Sequence, residues 1–187
     1  FSMLLQMDKK VTIICPRVIW KSILLKAAAM FDTSIEELGE YFNYVPIRFD
    51  EEFDYCGLKI TAHPSIHTVP CAVYQIRGVV DREWKVYGHM SDLLNFERCR
   101  SLIEDGFLSA DRFEAYRDFV LRPMHVKKVD VGAREGTEAV SVHGSWKDFV
   151  DDKTEHIVLA HAQPESLDER ATVKIGQFAV AGSARNM

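Results

Sequence analysis

The stretch "AVSVHGSWKDFVDDKTEHIVLAH", residues 139–161, carries one histidine near its start and another at its end. Its centre predicts a short helix of about seven to ten residues that begins after Ser145 and has its aromatic residues on one face. The apolar run 157–160 that follows predicts a buried strand. In this unit of loop, helix and strand, His143 would lie at the mouth and His161 would emerge at the end of the strand.

Strand and helix patterns alternate through the rest of the chain. Strands are predicted at 11–15, 57–63, 71–80, 83–90, 125–132 and 171–182. Amphipathic helices are predicted after Pro16, at 35–42, at 95–106 and after Ser109. Thr33 and Glu36 have the spacing of a capping box before the second of these helices. The pattern predicts a single α/β domain over residues 1–187.

The composition excludes several classes of protein. The 187 residues are 47% hydrophobic and carry a formal net charge of −5, so the chain can bury a core but has no uniform basic surface. We therefore expect no unspecific binding of nucleic acid and, since no apolar run approaches the roughly 20 residues of a membrane span, no membrane insertion. The four cysteines lie far apart and no signal peptide is visible, which predicts reduced thiols in a cytoplasmic protein.

The order of several short motifs resembles the later part of the metallo-β-lactamase superfamily, especially its ribonuclease Z-like and phosphodiesterase-like branches. A His-x-x-Pro turn at 67–70 precedes a strand that leads to Ser91 and Asp92. A His-x-Ser segment at 143–145 then opens the predicted short helix, and His161 follows the last apolar strand. The resemblance implies an αββα sandwich, truncated at its N-terminus, of which the chain forms the C-terminal portion.

The resemblance also implies roles for three of these residues. Asp92 is similar to the family's metal-bridging aspartate, and His161 is similar to its last metal-ligand histidine. His143 is similar to a histidine that faces the scissile phosphate, where an imidazolium can protonate the leaving oxygen. Zinc or manganese would be the metal, with two ions bound if the family's remaining ligands are supplied.

Each of these three residues also has a structural interpretation. His161 would be a half-exposed histidine bonded to a carbonyl group. Asp92 would be a residue near the start of a helix, where the helix dipole stabilises its carboxylate. His143 would be buried and bonded to the main chain or to Ser145. The sequence alone leaves both interpretations open.

Other titratable residues are weaker candidates for the site. His63 and His67 are interpreted as strand-end and turn residues, because Pro64 excludes a helical pair of ligands. His89 would replace Asp92 at the site if the alignment of the loop slides. Asp130 resembles the family's acidic residue before a glycine, although an ordinary charged loop is an equal interpretation.

The family's main metal-binding signature, His-x-His-x-Asp-His, is absent from this chain, whose opening "FSMLLQM" predicts a fragment of a longer protein. Two functions follow. With the signature upstream, the protein is a metal-dependent hydrolase that cleaves a small-molecule or nucleotide phosphodiester through a metal-activated water. Without it, the domain is catalytically degenerate and serves as a binding, sensor or scaffold module. The sequence does not decide between a monomer and a homo-oligomer.

Two geometric expectations test the resemblance. The strands at 11–15, 125–132 and 156–161 should lie in one largely buried sheet, with helices on its outer face. His143 and His161 should open into the same cleft, with Asp92 or His89 nearby, because the strand returns beside the helix over a similar distance. Two purely structural histidines would have no reason to converge.

Overall fold

In the computed structural model, which describes residues 10–134 and 136–161, the strands form two sheets. The first part of the chain contains β1 (Val11–Pro16), α1 (Arg17–Phe31), α2 (Ile35–Gly39) and β2 (Phe42–Ile47). The strands β1 and β2 are parallel and form the smaller sheet. The two helices make the crossover that a parallel pair of strands requires.

The larger sheet has six strands that follow one another in chain order. They are β3 (Glu52–Tyr55), β4 (Leu58–Pro64), β5 (Ala72–Val80), β6 (Glu83–His89), β7 (Val126–Asp130) and β8 (His156–Ala160). Neighbours from β3 to β6 are antiparallel, whereas β6, β7 and β8 are parallel. The carboxyl ends of these last three strands therefore meet at one edge of the sheet.

The connections between the parallel strands are helical. Between β6 and β7 the chain forms α3 (Phe96–Glu104) and α4 (Ala110–Val120), and between β7 and β8 it forms one 3-10 helix (Trp146–Phe149). Asn95 and Ser109 cap α3 and α4, and each side chain accepts a hydrogen bond from a main-chain N–H of the first turn. Both helices begin where the sequence predicts.

The elements pack in four layers, as the resemblance implies. Trp20 of α1 stacks on Tyr44 of β2, with ring centroids 5.0 Å apart. The opposite face of the smaller sheet shares a core with the larger sheet, through Ile47 on one side and Ile60 and Ala62 on the other. On the far face of the larger sheet, Phe119 of α4 and the buried residues of α3 form the main core. The order of layers is helix, sheet, sheet, helix, which confirms the αββα prediction.

The prediction that 11–15 shares a sheet with 125–132 and 156–161 is wrong. The strand β1 pairs with β2 in the smaller sheet, while β7 and β8 lie in the larger one. The strand β2 is not predicted from the sequence, because Asn43 and Pro46 interrupt its apolar pattern. Local periodicity indicates a strand but not its partner, and the partner decides the sheet.

The unit at 139–161 has the predicted order with a shorter helix. Ser145 caps it by accepting a hydrogen bond from the Lys147 N–H at 3.3 Å, and Trp146 and Phe149 are buried as predicted. The helix is a single 3-10 turn of four residues rather than the expected two turns or more. After the helix, the Asp152 side chain forms an ion pair with Lys127 ahead of β8.

Two further local predictions have mixed outcomes. The β5–β6 hairpin turns at Asp81 and Arg82, both with positive φ, between the strands predicted at 71–80 and 83–90. The capping box before α2 is formed by Ser34 and Glu37, one residue later than predicted. The strands predicted at 171–182 lie outside the described residues. Within the described part of the chain, no helix is both long enough and apolar enough to cross a membrane.

The ion pair between Lys127 and Asp152 provides a test of the fold. Both side chains are fully shielded from solvent, with 2.5 Å between Nζ and Oδ2. We expect Lys127→Met to lower the free energy of unfolding by about 3 to 5 kcal/mol, because the buried Asp152 carboxylate loses its counter-charge. Urea denaturation measures the change. Lys59→Met, which breaks an ion pair at the surface, should cause a much smaller loss. Equal losses would contradict the assignment.

Candidate metal centre

Three segments bring polar side chains to the edge where the parallel strands end. β7 ends at Asp130, which is paired in register with Ala160, the last residue of β8. His161 follows immediately and has a left-handed backbone conformation (φ 67°). His143 enters from the loop that leaves Asp130 and returns before the 3-10 helix. The parallel pairing of β7 and β8 thus places residues distant in sequence at one point.

The two histidines converge on the Asp130 carboxylate. Its Oδ2 lies 3.0 Å from His143 Nδ1, and its Oδ1 lies 3.3 Å from His161 Nδ1. The two imidazole rings are perpendicular, with centroids 5.4 Å apart. One potential ligand atom from each of the three residues lies within 4.8 Å of the others. The predicted convergence of His143 and His161 is confirmed, while their chemical roles stay predictions.

The carboxylate of Asp130 is buried and held in a fixed orientation. The main-chain N–H of Leu93 donates to Oδ2 at 3.2 Å, and that of Gly132 donates to Oδ1 at 3.0 Å. Each oxygen therefore has one main-chain donor and faces one imidazole. Asp130 is a fully buried strand-end residue and is not part of a solvated charged loop.

Asp92 approaches the same ring nitrogen of His161 as Asp130 does. Its Oδ1 is 3.6 Å from His161 Nδ1, and its side chain is 43% exposed. The loop that carries it contains Ser91 in a left-handed conformation (φ 42°), and the Ser65 hydroxyl donates to the Asp92 carbonyl at 3.0 Å. The structure thus places Asp92 beside His161, as predicted, with its carboxylate accessible from solvent.

His67 is a residue whose position the sequence did not reveal. Its Nε2 is buried and has no hydrogen-bond partner among the described residues. Its ring centroid is 6.5 Å from that of His143. A buried imidazole nitrogen without a partner is costly unless it binds something else. By contrast, His63 is 2.5 Å from an Asp50 oxygen and stacks on Phe119, in agreement with its structural interpretation.

The donor set fits a divalent metal. Two imidazoles and a carboxylate are the ligand types that zinc and manganese accept, and the partly exposed Asp92 and the free Nε2 of His67 offer further donors. The sequence pattern leaves Asp130 open between two interpretations and indicates a turn residue at His67, so neither residue is predicted as a ligand. Burial was the missing signal, because it depends on elements remote in the chain.

Two glycines allow the histidine loop to approach the sheet. A Cβ at Gly132 would lie 2.9 Å from Cγ of His143, and a Cβ at Gly144 would overlap the carbonyl oxygen of Asp130. The His143 segment therefore contacts the end of β7 through main chain, without an intervening side chain. The distance between His143 and Asp130 depends on this close approach.

Gly144→Ala should displace His143 from Asp130 and destabilise the domain. The added methyl group meets rigid main chain, so we expect a loss of about 1 to 3 kcal/mol in the free energy of unfolding. Chemical denaturation measures this loss, and the NMR chemical shifts of the His143 ring report its displacement. Gly39→Ala is the matched control, since a Cβ there meets nothing within 4 Å. Equal stability of the two variants would refute the packing argument.

A cavity of about 640 Å³ lies elsewhere, between the first turn of α3, the end of α4 and the 3-10 helix. Its lining includes Arg100, Arg117 and Asp148, and none of Asp130, His143 and His161. Burial raises the pKa of Asp148 to about 6, although the carboxylate accepts a hydrogen bond from the Phe96 N–H. The cavity is thus separate from the candidate metal centre.

Comparison with known proteins gives a likeness in fold only. No protein-family model and no curated protein matches the sequence. Among solved structures, the chain is similar to the metallo-beta-lactamase fold protein YhfI from Bacillus subtilis, with 11% identity, a TM-score of 0.49, and coverage of 76% of this chain and 56% of that one. It is also similar to the short form of human tRNase Z, ELAC1, with 10% identity, a TM-score of 0.46, and coverage of 82% and 61%.

The chain spans little more than half the length of each of these solved structures.

Proposed function

We propose that this chain forms part of a metal-dependent hydrolase that cleaves a phosphodiester. The observation that carries the proposal is the convergence of Asp130, His143 and His161, whose ligand-type atoms lie within 4.8 Å of one another. These residues come from three separate segments at the edge where parallel strands end, which is where ligand sites of layered α/β folds lie. A small-molecule or nucleotide phosphodiester is the proposed substrate.

His161 and Asp92 are the proposed metal ligands, as the sequence resemblance implies. The Nε2 of His67, which has no hydrogen-bond partner among the residues that the structure describes, makes that residue a further candidate. A bound zinc or manganese ion would acidify a coordinated water and withdraw charge from a phosphoryl oxygen. A second ion would need ligands beyond these residues.

His143 is the proposed general acid, with Asp130 as its partner. The buried carboxylate lies 3.0 Å from Nδ1, so it can hold the tautomer that keeps a proton on this nitrogen and stabilise the protonated ring. The other ring nitrogen is then left to give its proton to a leaving alkoxide. The side chain of His143 is 39% exposed, which gives a substrate access to the ring.

The same coordinates allow a second assignment of ligands. Asp130, His143 and His161 would together hold one ion, in which case His143 would not be a proton donor. The two assignments differ in what the loss of His143 removes, either the metal or the proton transfer. Metal content of a His143 variant therefore separates them.

A non-catalytic function is the second candidate. The His-x-His-x-Asp-His signature is absent from all 187 residues, and this absence favours a binding, sensor or scaffold module that keeps the fold without its chemistry. The presence of that signature in the sequence upstream of Phe1 would favour the enzyme. We further propose a cytoplasmic protein, in line with the four free cysteines.

Metal uptake and hydrolysis test the proposal directly. The full chain is equilibrated with zinc or manganese, dialysed, and assayed for bound metal by elemental analysis and for cleavage of bis(p-nitrophenyl) phosphate. We expect stoichiometric metal and metal-dependent cleavage. Stoichiometric metal without cleavage would support the non-catalytic module, and the absence of metal would contradict the site itself.

A further inference from the structure

Lys128 carries a positive charge that the described part of the chain does not neutralise. It lies on β7, half-buried, and its Nζ donates a hydrogen bond to the Ser91 carbonyl at 3.2 Å. The described residues include no carboxylate within ion-pair distance of this ammonium group. By contrast, its neighbour Lys127 is paired with Asp152 in the interior. A half-buried ammonium with one neutral acceptor retains donors for an anion.

The position of Lys128 places this charge next to the candidate metal centre. Side chains alternate along a strand, so Lys128 and Asp130 lie on the same face of β7, opposite to the buried Lys127 and Val129. The carbonyl that accepts from Lys128 belongs to the peptide bond between Ser91 and Asp92. The ammonium group is therefore one peptide unit from a proposed metal ligand.

His89 lies beside Lys128 and adds a second donor. The two residues are paired in register across β6 and β7. Burial lowers the pKa of His89 and the nearby Lys128 charge lowers it further, whereas Asp92 opposes the shift. The Tyr87 hydroxyl is 3.1 Å from His89 Nδ1, which leaves the Nε2 of the same ring for a ligand. A cation and an imidazole thus face the same side of the sheet, next to Asp92.

We infer that Lys128 and His89 form an anion subsite that holds a phosphoryl oxygen of the substrate beside Asp92 and His161. The subsite rests on the proposed function and adds to it a binding site for the charge of the substrate. A phosphodiester keeps one negative charge, which the carboxylate ligands of the metal would repel. Charge-assisted hydrogen bonds from an ammonium group are well suited to such an oxygen. The alternative is a purely structural role, in which Lys128 only supports the left-handed turn at Ser91.

Binding of inorganic phosphate tests the subsite. The full chain is titrated with phosphate by calorimetry, with and without metal, and compared with Lys128→Met, Lys128→Arg and the exposed control Lys153→Met. We expect Lys128→Met to raise the dissociation constant at least about tenfold, since a hydrogen bond to a charged group is lost. Lys128→Arg should retain most of the binding and Lys153→Met all of it. Equal binding by the parent and Lys128→Met, or none by the parent, would overturn the inference.

Metal content separates the subsite from a supporting role. Lys128→Met should retain the metal stoichiometry of the parent, because Lys128 holds the substrate and not the ion. Loss of metal together with phosphate in this variant would mean that Lys128 supports the Asp92 turn, and would overturn the subsite. Phosphate binding that depends on Lys128 in a chain that takes up no metal would uphold the subsite and contradict the proposed hydrolase.

Discussion

Replacement of His161 by alanine is expected to remove at least one metal ion from the loaded chain and to abolish most of its hydrolysis. His161 Nδ1 lies between two carboxylates, 3.3 Å from Asp130 and 3.6 Å from Asp92. It is the residue common to both assignments of ligands. Loss of a partner that only orients a ligand costs about 10- to 100-fold in metal affinity, so loss of the ligand itself should cost more.

Equilibrium dialysis followed by elemental analysis measures the effect of His161→Ala. His156→Ala is a matched control, because His156 is exposed at the opposite end of β8 and should leave metal content unchanged. The Asp92→Asn variant should weaken binding as well, if this carboxylate is a ligand. Unchanged metal content in His161→Ala, with a parent-like thermal melt, would remove the central assumption of the site.

The fold could be predicted where its determinants are local. The β4, β5 and β6 meander follows from apolar alternation and from the turn at Asp81 and Arg82, and α3 and α4 follow from their caps. Thr33 and Ser34 each precede a glutamate by three residues, so spacing alone could not decide which of them forms the capping box. The sheet to which β1 belongs depends on a partner about 30 residues away, which no periodicity shows.

The site, like the fold, could be predicted only where its determinants are local. The convergence of His143 and His161 could be predicted because a unit of loop, helix and strand returns its end toward its start. The pairing of β7 with β8 causes this return. Asp130 was ambiguous because the sequence does not distinguish a buried carboxylate with two main-chain donors from one in a solvated loop. Within the described part of the chain, the buried Nε2 of His67 likewise has no partner, and burial of this kind cannot be read from the sequence.

The close approach of His143 and His161 to two carboxylates is energetically unfavourable, and a bound metal ion would remove this penalty. Two imidazoles and two carboxylates within a few ångströms include more acceptors than their protons can satisfy when the histidines are neutral. A divalent cation would neutralise the carboxylates and bind the imidazole nitrogens. This balance of charge is a reason for the cluster to bind a cation, whereas the buried Lys127 is already paired with Asp152.

Replacement of His143 by glutamine should leave the metal in place and slow the chemical step. General acid catalysis contributes about 10²- to 10⁴-fold, so kcat for an alkyl phosphodiester should fall by this factor. The fall should be much smaller for bis(p-nitrophenyl) phosphate, because nitrophenolate leaves without protonation. Glutamine retains a donor near Asp130, and the carboxylate keeps its two main-chain donors, so the loop should hold its position.

The comparison of leaving groups gives this experiment its specificity. A general defect in folding or metal binding would lower the rates for both esters equally, whereas loss of a proton donor lowers the rate for the poor leaving group. The exposed control His156→Gln should change neither rate. If His143→Gln instead releases the metal, then His143 is a ligand together with Asp130 and His161, and proton transfer must be assigned to another group. Equal kcat for the alkyl ester in parent and variant, with metal retained, would exclude His143 as the proton donor, because loss of the donor must slow the departure of an alkoxide.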